Sequence, residues 1–181
     1  MTIWDFNENK NYVNIRVHTE NYKVLNLKDK SKFALLLSQL TRKIKNQFDF
    51  LKKQKRMGKK LPPEVELLIK TPFKLQEMQI PEDQGTIEFD GLNKPKGVKL
   101  IKNAISIGKD GKLRASRRLI FLKLRRNYTG RQESARFINT LLIHELAHTA
   151  CNHVRYRDDD HGPDFEKCER FIKKIFKGKL L

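Results

Sequence analysis

The sequence predicts an α+β domain: a small sheet packed on one central apolar helix, with an N-terminal helical extension. Three observations lead there. Apolar residues recur at three–four spacing in separate segments near 33–51, 135–148 and 165–175. Short stretches at 12–26, 86–90 and 103–125 instead alternate or carry turn residues, as strands do. The hydrophobic fraction of 38% is low for a globular protein and 33% charged is high, but eleven Phe and many Leu and Ile still argue against global disorder. A length of 181 residues suits one domain with a real core, or one domain plus an extension. The expected organisation is a strand and helix extension over 1–85 packed on a core over 86–181, one compact unit in all.

Taken in order, "YVNIRVHTENYKVLN" (12–26) reads as two short strands turning near Thr19–Asn21. From Asp29 to Met57 the period becomes helical, with Phe33, Leu36, Leu37, Leu40, Ile44, Phe48 and Leu51 on one stripe. That helix ends in "KKQKRMGKK" (52–60), which either complements the helix dipole or contacts nucleic acid. Pro62 and Pro63 stop it or start the next. Residues 63–78 read as a shorter helix, interrupted or ended near Thr71–Pro72, and "TIEFD" (86–90) as a strand. Asp110–Gly111 has the chemistry of a hairpin turn, with arms at 103–108 and 117–125. The second arm alternates basic with apolar residues, so one face is expected in the core and a cationic face outward. A helix over 132–153 follows, with Thr129 and Gln132 spaced as a capping box. It is apolar nearly all round, on the stripes Ala135, Ile138, Leu142, Leu146 and Phe137, Leu141, His144, His148, and so is expected to be the central one. The last helix, Pro163 to Lys177, buries Phe165, Cys168, Ile172 and Ile175.

Charge narrows the partners. Lys and Arg number 39 against 21 acids, a formal +18. Such an excess points to a polyanion, nucleic acid ahead of an anionic membrane surface. Between Lys94 and Arg131 there are thirteen Lys or Arg and one acid, Asp110. A phosphate-binding surface is expected there, built from Lys94, Lys96, Lys99, Arg117, Arg118, Lys123, Arg125 and Arg126. Cys151 and Cys168 are too few for a disulfide framework. The opening "MTIWDFNENKNYV" is too polar for a signal peptide, and no apolar run reaches about 18 residues. These features exclude a disulfide-rich secreted scaffold and a helical membrane protein. A soluble intracellular protein with no membrane partner is expected.

The chemistry concentrates in "LLIHELAHTACNHVRYRDDDHGPDF" (141–165). His144, Glu145 and His148 form H-E-x-x-H on a helix, where residues four apart share a face and two imidazoles can reach one metal. Glu145, one step round, can stand beside a metal-bound water without being a ligand. A tetrahedral zinc then needs a third protein ligand. His153 lies five residues beyond His148, about 140° round an unbroken helix. His161 follows a polar stretch suited to turning the chain back, and precedes Gly162–Pro163, which permits a tight turn and starts a helix. His161 is therefore the expected third ligand of a single Zn2+. Cys151 and Cys168 read as small buried apolar residues.

"HELAH" followed by "RYRDDDHGPDF" resembles the SprT-like zinc metallopeptidases, including the Spartan branch, and the related WLM-type peptidases. The preceding "IGKDGKLRASRRLIFLKLR" is similar to their hairpin leading into the active-site helix, and the resemblance covers roughly 86–177. It implies a minimal zincin-like metallopeptidase fold, zinc on His144, His148 and His161, and Glu145 as general base. It also implies a DNA-associated location, nuclear where the host is eukaryotic or viral, and proteolysis of nucleic-acid-bound proteins, including DNA–protein crosslinks, in DNA repair. DNA is favoured over RNA. The chain departs from many relatives in lacking a cysteine-rich ribbon, so recruitment falls to its own basic surface or the N-terminal helix. Two rival readings stay open: a non-catalytic zinc-containing nucleic-acid-binding protein, and a general intracellular zinc peptidase. Tyr128, Tyr156 and Arg157 are the candidates for steadying an oxyanion, and "RRLIFLKL" the candidate strand for pairing with an extended substrate.

Overall fold

Alternating Val13, Ile15 and Val17 build the first strand, β1 (Tyr12–Val17). It pairs antiparallel with β2 (Glu20–Leu25) from Tyr12↔Leu25 to Val17↔Glu20. His18 takes the left-handed φ of 53° that the turn needs. The computed structural model describes residues 12–78, 91–95, 105–107, 113–115, 118–126, 130–151 and 161–181. β2 turns Tyr22 and Val24 inward against α1 (Lys30–Arg56). The α1 stripe is the predicted one: Phe33, Leu36, Leu37, Leu40, Ile44, Phe48 and Leu51 are all buried.

After α1 the next helix breaks off at Thr71–Pro72, one of the two outcomes expected there. α2 runs only Pro63–Lys70, with Pro63 in its first turn, and ends because Thr71 is extended (ψ 116°) ahead of Pro72. Beyond that break, residues 73–77, which an interrupted helix would have included, are strand β3 (Phe73–Glu77). The remaining strands are β4 (Gly91–Pro95), β5 (Ile105–Ile107), β6 (Leu113–Ala115) and β7 (Arg118–Leu122). The expected hairpin is re-partnered: β5 pairs antiparallel with β6, while β7 joins a separate sheet of order β3-β7-β4. There β7 runs parallel to β3 and antiparallel to β4. The sheet is thus built across residue 85, with β3 from the N-terminal half. The "TIEFD" strand and the Asp110–Gly111 turn lie outside the described residues.

β7 is also not the half-solvated strand expected from its alternation. Arg118, Ile120, Phe121 and Leu122 are all buried, as befits a central strand covered on both faces. Just beyond it, Arg125 turns inward. Its guanidinium stacks 3.7 Å from the Phe33 ring centre, donates to Glu77 Oε1 at 2.6 Å and pairs with Asp29. Glu77 also accepts the Leu25 N–H at 2.8 Å. Burial pushes its carboxyl above the usual range, opposed by that N–H and by Arg125. One buried ion pair therefore ties β2, β3, α1 and the exit of β7 together.

α3 (Ala135–Ala150) is the central helix that its all-round apolarity predicts, packed against α2, α4 (Pro163–Phe176), β4 and β7. Its cap is not the Thr129–Gln132 box. Ser134 Oγ accepts the Phe137 N–H at 3.2 Å, and Thr129 lies outside the described residues. The cysteines are a further correction. Cys151 and Cys168 are not isolated apolar fillers but form a disulfide, Cα–Cα 6.3 Å, because α4 packs beside the end of α3. Among the described residues, no helix is long and apolar enough to cross a membrane.

Candidate metal centre

Helical spacing in α3 stacks His144 and His148 one turn apart, with their Nε2 atoms 3.2 Å from one another. His161 precedes Gly162, the N-cap of α4, and Pro163 starts that helix. This short lead-in brings His161 Nε2 to 3.2 Å from His148 Nε2. One ligand atom from each imidazole falls within 4.8 Å of the others. His153 lies outside the described residues.

The donor set fits a zinc ion. Bonds of about 2.0–2.1 Å in a tetrahedron separate neighbouring ligand atoms by about 3.3–3.4 Å, close to the two Nε2–Nε2 distances. The carboxylate Oε1 of Glu169 lies 2.9 Å from His144 Nδ1, so Nδ1 is the donor and the Nε2 lone pair is left facing the cluster. Phe165 forms a wall against all three rings, at centroid distances of 5.2, 4.5 and 4.8 Å from His144, His148 and His161. Glu145 shares the His144–His148 turn and is 3% exposed. Burial pushes its carboxyl up to about 8.

Sequence reasoning placed Phe165 in the core without seeing that it touches the histidines, and missed Glu169. Their signal is spacing: 165 and 169 share a side of α4, and 161 in its lead-in stands one further step of four before them. What the sequence hides is that this side faces 144 and 148.

Of the expected phosphate-binding residues, the structure describes the side chains of Arg118, Lys123, Arg125 and Arg126. Arg118 is buried and Arg125, partly buried, is taken up in the Glu77–Asp29 pairing, so neither is part of an outward cationic face. Lys123 is half-buried, its ammonium 5.7 Å from the Phe137 ring centre. Arg126 is exposed and 3.6 Å from Glu133. Lys94 lies on β4, while Lys96, Lys99 and Arg117 fall outside the described residues, as do Tyr128, Tyr156 and Arg157. Exposed cations do line α4, at Lys167, Arg170, Lys173, Lys174 and Lys177.

A small α+β fold thus has a central helix that supplies two of three converging imidazoles able to hold a metal ion, with a buried glutamate in the same turn. The model of the SprT-like family matches residues 89–179, half of the chain, and the chain belongs to that family. No curated protein and no solved structure matches it.

Proposed function

We propose that this is a zinc-dependent endopeptidase acting on proteins bound to nucleic acid, DNA ahead of RNA, with crosslinked DNA–protein adducts as the substrate class. One observation carries the reading: three imidazole Nε2 atoms converge at ligand spacing, with Glu145 in the turn between two of them. His144, His148 and His161 would hold the ion. When bound, zinc polarises a carbonyl and lowers the pKa of water to about 7. Glu145 takes the proton of the attacking water and passes it to the departing amine, so that water and peptide become acid and amine. Its burial favours the proton-bearing form needed for the second half of that exchange.

The substrate strand cannot add to "RRLIFLKL", because β7 already has β3 and β4 on its two edges. β4 is the outer partner on the side that packs on α3, so an extended peptide would add there. The basic excess, and the family's implied substrate class, support the nucleic-acid partner.

The test is cleavage of a DNA-binding protein with and without single-stranded DNA, by the wild type and by Glu145→Gln, with zinc content measured on both. Cleavage should need DNA and Glu145, and both proteins should carry one zinc. Cleavage indifferent to DNA would leave a general zinc peptidase. A zinc-loaded, DNA-binding wild type that cuts nothing would leave a binding protein.

A further inference from the structure

We infer that Glu169 is a positioning residue of the metal centre, holding His144 in the tautomer and orientation that present Nε2 to the ion. The inference rests on the metal reading above. α3 offers His144 and His148 four residues apart; α4 and its lead-in answer with His161, Phe165 and Glu169, also at steps of four. Two helical faces thus close on one cluster from opposite sides. Glu169 reaches the far nitrogen of His144, Nδ1, at 2.9 Å, while Nε2 points at His148. A carboxylate oxygen accepts, so the proton stays on Nδ1 and the lone pair on Nε2.

The consequence is energetic as well as geometric. An imidazole free to rotate or to protonate Nε2 must give up those states when it binds a metal. A ring whose Nδ1–H is already engaged has given them up on folding, and its Nε2 is more basic for the partial charge accepted at Nδ1. Phe165 adds a steric limit, its ring centre 5.2 Å from that of His144. Glu169 is partly exposed, with a third of its side chain in solvent, so its carboxylate can be changed without opening the core. Glu166, exposed on the first turn of the same helix, supplies a charge control.

Zinc affinity is measured by competition with a chromophoric chelator for the wild type, Glu169→Ala, Glu169→Gln and Glu166→Gln. Two-bond 1H–15N imidazole spectra of the metal-free proteins are recorded alongside. Loss of such a partner typically weakens metal binding about 10–100-fold, the effect expected for Glu169→Ala. Glu169→Gln keeps an accepting oxygen and should fall between, while Glu166→Gln should match the wild type. The spectra should show His144 protonated at Nδ1 in the wild type and mixed tautomers in Glu169→Ala. Zinc binding in Glu169→Ala equal to wild type, or a wild-type His144 protonated at Nε2, overturns the inference. A wild type that binds no zinc while keeping the Nδ1 tautomer overturns the metal reading and, with it, any metal role for Glu169.

Discussion

Glu145 is the residue at which folding and chemistry conflict most. The residue is 3% exposed, and burial pushes its carboxyl up to about 8 from the 4.5 of an ordinary glutamate. The folded state therefore holds that proton more tightly than the unfolded state does. Its contribution to stability is full below pH 4.5 and is lost as pH rises toward 8, because the unfolded chain can ionise and the folded one must resist. The melting temperature of metal-free wild type should accordingly fall across this window more steeply than that of Glu145→Gln, which keeps the raised carboxyl of Glu77. Calorimetry or circular dichroism at several pH values reads the difference. Equal slopes for the two proteins would show that Glu145 is not the titrating group. Adding zinc should flatten the wild-type slope, since a cation held by the neighbouring histidines favours the ionised form.

Between elements, the decisive contact is the seam of α3 against α4, which brings His161 to His148 and Cys151 to Cys168. The crosslink spans 17 residues and brackets His161, and closing a loop of that size stabilises by about 3 kcal/mol through the unfolded state. Urea unfolding with and without a reductant, beside Cys151→Ser, should show that loss, together with no free thiol in the native oxidised protein. A stability unchanged by reduction would mean that the helix seam holds itself. The same seam explains what was legible in the sequence. H-E-x-x-H could be read because its geometry is local, set by one helical turn. His161 could be read because Gly162–Pro163 announces a turn and a helix start. The disulfide and Glu169 could not, since each depends on how two helices meet. β7 was misread for a related reason. Alternation says that two faces differ, but not that the outer one meets solvent, and here burial covers both and takes Arg118 inside.

Across the whole molecule, a formal +18 is not the same as a +18 surface. Arg125 shows the difference. Its guanidinium stabilises Glu77 inside the fold, and Arg125→Ala should cost about 3–5 kcal/mol by leaving a buried carboxylate uncompensated. Its removal should hardly touch long-range attraction to a polyanion. The exposed lysines of α4 behave in the opposite way. They lie on the helix that carries Phe165 and Glu169, Lys173 and Lys174 in its last turn. Under the proposed function, the logarithm of affinity for single-stranded DNA should fall linearly with the logarithm of salt. Each phosphate-contacting lysine adds about 0.7 to the slope, so Lys173→Gln with Lys174→Gln should flatten it by about 1.4 without lowering stability. Fluorescence anisotropy over a salt series, run beside Arg125→Ala, separates the two kinds of cation. An unchanged slope in the double variant would move the phosphate contacts off α4, with the exposed end of α1, Lys52 to Lys60, next in line. A wild-type slope near zero would remove nucleic acid as the partner, and the excess charge would then need another explanation.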